Sequence, residues 1–336
     1  MESLRIALDV MGGDNAPEAT LDGALRAISS ERKHALEPGS LLLVGDAERI
    51  EEGLKDRGGN PGFEVLHASQ VVDMHDSPAV ALRSKSDSSI SVAVRAVKEG
   101  KAGAVVSMGN TGALVAAATR GLGTLEGVRR PGIAVTFALG GRPLTVLDMG
   151  ANIAPKPDHL SLYALMGSIY AQQCLDCKAP RVGLLNIGEE ASKGTDLLKE
   201  AHQLISETPV NFVGNVEGND MFQGKVDVIV TDGFTGNVVL KLLEGFAGFM
   251  MGLVAGELKQ HGADYGRELF ANVNHQIDYA EYGGALLLGV NGVVVVGHGR
   301  SDGVAVANAL GLAAGDLDAG LNAGIVKGVA AAFPKK

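Results

Sequence analysis

The 336-residue chain has no tryptophan, only 4% aromatic residues and only two cysteines. Its net charge is −10, and no basic face interleaved with aromatics is visible, so nucleic acid is not expected as a partner. An acidic protein partner would need local basic patches. Arg129-Arg130 and the Arg83/Lys85 pair are the candidates, and each reads equally well as a solvated loop or face. No run of about eighteen apolar residues is free of charge, so nothing in the chain is expected to span a membrane. The opening MESLRIALDV reads as a short strand and lacks the charged-then-apolar order of a signal peptide.

Other absences concern chemistry. Cys174 and Cys177 form a lone C-x-x-C that follows a helical stretch, and the second half of a zinc site is missing. Two reduced thiols in a cytoplasmic protein are the expectation. Gly12-Gly13 do not complete G-x-G-x-x-G, so a nicotinamide site has no support, and no G-x-S-x-G elbow occurs. In the loop Asn186–Thr195, Lys193 precedes Gly194, the reverse of a P-loop, so ATP is not indicated. His75, between Asp73 and Asp76, reads as loop and capping chemistry, with Ser77 as N-cap and Pro78 at the first helical position. No metal and no cofactor is expected.

Glycine is abundant instead: 47 residues, about twice average usage, without a period and gathered at strand exits. With 46% hydrophobic and 20% charged residues, the composition is ordinary for a soluble protein. The length allows one large domain, residues 1–336, or two intimate lobes, and no linker cuts it.

The stretch Val226–Lys241, VDVIVTDGFTGNVVLK, organises the rest. Its β-branched run suits a strand buried on both faces, Thr231–Asn237 is turn chemistry, and helical spacing begins at Val238. A strand leading through a glycine turn into a helix presents free N–H groups and a positive dipole end to an anion. The pattern occurs twice: Val105–Val115 aligns without a gap on Ile229–Val239, sharing hydroxyl-x-Gly-x-Thr-Gly. Ligands collect at the carboxyl ends of strands in such sheets, so both turns are expected to face one crevice.

Further strands are expected at Ile6–Val10, Leu41–Val44, Phe63–Leu66, Ala104–Ser107, Val182–Leu185 and Val210–Val213. Ile133–Leu139 with Leu144–Leu147, and Leu286–Val290 with Val293–Val296, read as antiparallel hairpins, the second around Asn291-Gly292 as a type I′ turn. Val304–Phe333 reads as a helical tail. Strand exits gather Asn15, Ser107, Asn110, Thr111, Asn152, Lys193, Asp232, Thr235, Asn237, His298 and Ser301. Hydroxyls, amides and glycine N–H groups in this pattern suit oxyanions, and hence acyl or phosphoryl transfer by positioning. Lys193 is either an anion ligand or the partner of Glu189 or Glu190.

The ordered motifs ALDVMGGDNAP, SMGNTGAL, LDMGAN, NIGEEASKGT, FVGNVEG, DVIVTDGFTGNVVLK, DYAEYGGALLLGVNG and GHGRSD resemble the phosphate acyltransferase (PlsX) family from about Ile6 to Ser301. Met108 and Leu286 depart from the family pattern without removing a polar group. The resemblance implies a three-layer α/β/α fold, with a mostly parallel sheet and antiparallel hairpins, similar to isopropylmalate dehydrogenases and phosphotransacetylases. It implies transfer of a long-chain acyl group from acyl-[acyl carrier protein] to inorganic phosphate, giving acyl phosphate for phospholipid synthesis. It further implies a cytoplasmic homodimer in peripheral contact with the inner face of the membrane, handing its product to a membrane glycerol-3-phosphate acyltransferase. A short-chain phosphotransacetylase acting on acyl-CoA is the alternative. On this reading Asn15, Asn110, Thr111, Gly112, Asn152, Gly233, Thr235, Gly236, Asn237 and Ser301 bind substrate. Lys193 supplies positive charge, and His298 or Asp232 relays a proton. The stretch Phe246–Leu258, too apolar for one buried stripe, is expected to meet a partner subunit, lipid or the acyl tail.

Overall fold

Short leucine- and valine-rich runs make the strands, and the glycines between them make the exits. The computed structural model describes residues 5–30, 35–139, 142–260 and 283–334. It forms two compact units, Met1–Pro131 with Tyr282–Lys336, and Gly132–Glu281.

The first unit opens with β1 (Ile6–Asp9), α1 (Glu18–Ala27), β2 (Leu41–Gly45), α2 (Ala47–Lys55) and β3 (Glu64–His67). It continues with α3 (Pro78–Ser84), α4 (Ser89–Lys98), β4 (Ala104–Ser107) and α5 (Thr111–Gly121). The chain then builds the second unit from β5 (Gly132–Leu139), β6 (Arg142–Leu147), α6 (Pro157–Cys174), β7 (Arg181–Leu185) and α7 (Asp196–Ser206). That unit is completed by β8 (Asn211–Val216), β9 (Val228–Val230) and α8 (Gly233–Gln260). The first unit is finished by β10 (Ala285–Leu288), β11 (Val293–Val296), α9 (Gly303–Asp318) and α10 (Leu321–Ala332).

In the first unit the strand order is β3-β2-β1-β4-β11-β10, parallel except for the β10–β11 hairpin. All four residues of β1 are buried, so both faces are covered. Helix α4 packs on β1, β2 and β4, while α9 packs on β1, β4 and β11. In the second unit the order is β5-β6-β9-β7-β8, with β5–β6 antiparallel and the rest parallel. Helix α6 lies against β6, β9 and β7, with Tyr163 fully buried. Helices on a mostly parallel sheet give the α/β/α arrangement expected of the sequence.

Three expectations are corrected. Helix α8 begins at Gly233, not Val238, because Asp232 accepts from the Thr235 N–H and starts the helix inside the glycine turn. The β10–β11 connection is not a two-residue type I′ turn. Asn291 has no positive φ, and Gly289 and Gly292 (φ 95° and 154°) take the left-handed positions instead. The tail is two helices bent by 51° at Gly320, where φ is 64°. Helix α8 over Gly233–Leu258 is long and apolar by length and composition, and it carries Lys241, Glu244 and Glu257, so it contains no charge-free run of about eighteen residues. Lys241 and Glu244 pair with each other at 2.8 Å. The hairpin turn at Gly140-Gly141 and the motif residues 278–282 lie outside the described residues.

The central strand β1 ends in a charge. Asp9 is fully buried, its Oδ2 accepts from the Ser107 hydroxyl at 2.6 Å, and its Oδ1 has no partner among the described residues. Burial pushes its carboxyl up from 3.8, partly offset by the hydroxyls of Ser107 and Ser89 and by the Met11 and Gly12 amides. A raised folded value means that the native state binds the proton more readily than the unfolded chain. Stability is therefore lost as pH rises from 3.8 through the folded value. Urea unfolding of wild type and Asp9→Asn across the acid-to-neutral range is expected to show the variant gaining on wild type as pH rises. A pH-independent difference would contradict that assignment.

Candidate active site

In the first unit, three strand exits lie side by side. The Ser107 hydroxyl donates to Asp9 and accepts from the Gly109 N–H at 3.0 Å, locking the turn that leaves β4. The loop leaving β1 crosses this turn at Gly12, where a Cβ would fall 2.4 Å from Asp9 Oδ2 and 2.9 Å from the Gly109 nitrogen. The exit of β11 joins them through the Gly297 N–H, which donates to the Ser107 carbonyl at 2.9 Å.

Asn110 caps α5, its Oδ1 accepting from the Ala113 N–H at 3.0 Å. Its Nδ2 donates to the carbonyls of Asp73, Met74 and Asp76 at 3.3, 3.1 and 3.0 Å. The amide is thus committed to tying the 73–76 loop to the glycine turn. Thr111 and Gly112, next along, are exposed. A Cβ on Gly112 would sit 2.7 Å from Pro78 Cγ, so this glycine lets α3 approach α5. Asn15 Nδ2 donates to the carbonyls of Arg300 and Ser301, at 3.2 and 3.3 Å. The structure therefore joins Asn15, Ser301 and His298 in one loop pair. His298 Nδ1 accepts from the Arg300 N–H at 3.1 Å, which leaves the neutral ring's proton on Nε2.

The second unit repeats the arrangement at β6 and β9. Asp148, buried at the end of β6, accepts through Oδ1 from the N–H groups of Ile133, Gly150 and Ala151. Its Oδ2 accepts from the Asn152 N–H at 2.7 Å and from Asn152 Nδ2 at 3.2 Å. Burial raises its carboxyl, and these donors hold it down in part. Asn152 Nδ2 also donates to the Tyr163 hydroxyl at 2.8 Å. The folded loop lies flat against the first turn of α8, where a Cβ on Gly233 would be 2.6 Å from the Asn152 carbonyl oxygen. On Gly236 a Cβ would be 1.9 Å from the Asp148 carbonyl oxygen, so no side chain fits there.

The two glycine turns differ electrostatically. Asp232 accepts from the Thr235 N–H at 2.9 Å and from its hydroxyl at 2.7 Å, so a carboxylate already occupies the start of α8. The start of α5 is capped by a neutral amide and keeps its dipole end for an added anion. Asn237 is exposed, packs over Gly150, and makes no side-chain hydrogen bond among the described residues.

Lys193 stands on a pinned loop. Asn186 Nδ2 donates to its carbonyl at 3.1 Å, and Asn215 Nδ2 to that of Glu190 at 2.8 Å. Gly194, at φ 87°, comes so close to Asn186 that a Cβ would lie 2.5 Å from its Oδ1. Among the described residues the Lys193 ammonium pairs with neither Glu189 nor Glu190; Glu189 lies 3.9 Å from Lys225 instead. Neither Cys174 nor Cys177 is in a disulfide, and burial beside Asp227 pushes the Cys177 thiol up, away from thiolate.

Asp9, Asp148 and Tyr163 escaped the sequence reading. A second internal repeat could have revealed the carboxylates: Leu8-Asp9 through Ala16-Pro17 matches Leu147-Asp148 through Ala154-Pro155 once one residue is skipped in the first. In each unit that segment leaves the strand beside the glycine-turn strand, β1 next to β4 and β6 next to β9.

The family model described as "Fatty acid synthesis protein" matches residues 4–323. A phosphate acyltransferase of Heliobacterium modesticaldum is 47% identical, covering 92% of this chain and 93% of its own. One of Dictyoglomus turgidum is 42% identical over 97% of this chain and 98% of its own. Among solved structures, a phosphotransacetylase from Streptococcus pyogenes superposes with a TM-score of 0.63 at 15% identity, covering 94% of this chain and 95% of that one, a likeness of fold alone. The match over residues 4–323 and the near-complete coverage of relatives 47% and 42% identical place the chain in the phosphate acyltransferase family.

Proposed function

We propose that the protein transfers a long-chain acyl group from acyl-[acyl carrier protein] to inorganic phosphate, releasing acyl phosphate for phospholipid synthesis. Near-full-length relatedness to phosphate acyltransferases carries this reading. The local chemistry is compatible with it. Phosphate is already anionic at neutral pH, so one of its oxygens can attack the thioester carbonyl without a strong base. In the first unit the exposed start of α5 at Thr111 and Gly112 is available to phosphate; in the second, taken by itself, the Asn237 amide and the Lys193 ammonium are available to an anion. The C–S bond then breaks, and the departing thiolate accepts a hydrogen bond from the His298 Nε2–H and takes its proton from solvent. Asp232, engaged as a cap, positions Thr235.

The fold likeness to a phosphotransacetylase keeps a short-chain reaction on acyl-CoA as the second reading. It is separated from the first by comparing acetyl-CoA with a long-chain carrier-protein thioester. Helix α8 supports a role beyond the reaction. Phe246, Phe249 and Leu253 are 57%, 61% and 50% exposed, an apolar face suited to a second copy of the chain or a lipid surface. On this reading the enzyme is a cytoplasmic homodimer at the inner face of the membrane, passing acyl phosphate to a membrane glycerol-3-phosphate acyltransferase.

Two measurements test these proposals. Palmitoyl-carrier protein should be consumed only when phosphate is added, with the product trapped by hydroxylamine; phosphate-independent loss, or preference for acetyl-CoA, would reject the long-chain reading. In the same assay Lys193→Ala should lose about 2–4 kcal/mol of transition-state stabilisation, and unchanged kcat/KM would remove Lys193 from the site. Leu253→Asp should either split the dimer or abolish sedimentation with anionic liposomes. A variant that keeps both leaves α8 without either role.

A further inference from the structure

On a chain of net charge −10, four basic residues line one groove among the described residues. Helices α3, α4 and α5 enclose a groove of about 450 Å³ whose rim carries Arg83, Arg95, Lys98 and Arg120 and whose floor includes Val94 and Ala117. All four basic side chains are exposed. Only Arg95 has an ion-pair partner among the described residues, Asp87 at 3.5 Å. Lys85, the neighbour that the sequence coupled with Arg83, takes no part: it is bound by Asp76 at 2.6 Å and by the Val71 carbonyl at 2.8 Å. The helices are close enough to hold the groove's shape, since a Cβ on Gly121 would lie 2.8 Å from Val94 Cγ1.

We infer that this groove docks the acidic carrier protein that delivers the acyl thioester. The inference rests on the acyl-transfer reading above and adds to it where the carrier binds. Uncompensated cations around a small apolar floor form an electrostatic rim and a dry centre, complementary to an acidic, partly apolar protein surface. The placement fits delivery. Helix α5 starts at the Asn110–Gly112 turn and reaches the groove at Ala117 and Arg120, so about 9–15 Å of helix separates the two. A thioester carried on a flexible prosthetic arm spans such a distance while its protein stays in the groove. Helix α3 couples them as well, because its preceding loop is held by Asn110 and its first residue, Pro78, rests on Gly112.

The test compares wild type with Arg83→Glu/Lys98→Glu and with Arg120→Glu. Each is assayed with phosphate and one acyl chain presented in two ways: on the carrier protein, and as the uncharged N-acetylcysteamine thioester. With the carrier, KM should rise about tenfold or more in both variants while kcat holds. With the small thioester all three proteins should behave alike. Added salt should raise the carrier KM of wild type and leave that of the variants nearly flat. An unchanged carrier KM overturns the inference, as does an equal loss on both thioesters. So does a defect confined to sedimentation with anionic vesicles, which would make the groove a lipid contact. Failure of wild type itself to turn over carrier thioester with phosphate would refute the acyl-transfer reading on which the inference stands.

Discussion

A carboxylate buried at the end of a strand holds the polar turns of each unit in shape. Asp148 gathers four backbone N–H groups and one side-chain amide, so the chain after β6 must curl round it and present its carbonyls to the glycines of α8. Asp9 does the same for the turn after β4 through Ser107. Both charges are costly to bury, and both are offset only by donors fixed in the native fold. The glycines follow from this constraint. Gly12 and Gly236 stand where two strand exits cross so closely that a methyl group would strike a carboxylate or a carbonyl.

From that framework the polar residues divide by availability. Asn110, Asn152 and Asp232 have their hydrogen-bonding groups engaged with the protein, and their effect on a ligand is exerted through the backbone they position. Thr111, Gly112, Asn237 and Lys193 remain open to solvent. The likeness of the two glycine turns thus conceals a difference in charge, since a carboxylate caps one helix and an amide the other. A single anion is better received by the amide-capped helix.

Much of this was readable from the chain. The strands sit where β-branched and leucine runs were bounded by glycine, and the repeated turn marked the starts of α5 and α8. Residues with roles set by distant partners were harder to read. Asp9 and Asp148 look like ordinary strand-end acids until their burial is seen, and Tyr163 is one apolar position among many in α6 until its hydroxyl meets Asn152. Lys193 shows the converse: sequence proximity suggested an ion pair with Glu189 or Glu190, and loop geometry leaves its ammonium apart. The groove formed by α3, α4 and α5 draws its cations from three segments, with Lys85, adjacent in sequence, turned away. Charge counting along the chain could not separate them.

The central claim is that phosphate itself is the nucleophile, with no acyl group passing through the protein. Exchange between acyl-carrier protein and labelled free carrier, measured without phosphate, tests it most directly. Direct attack predicts no label in the thioester until phosphate is supplied. Label appearing in acyl-carrier protein in the absence of phosphate would mean that the protein takes the acyl group first, and the account would be wrong.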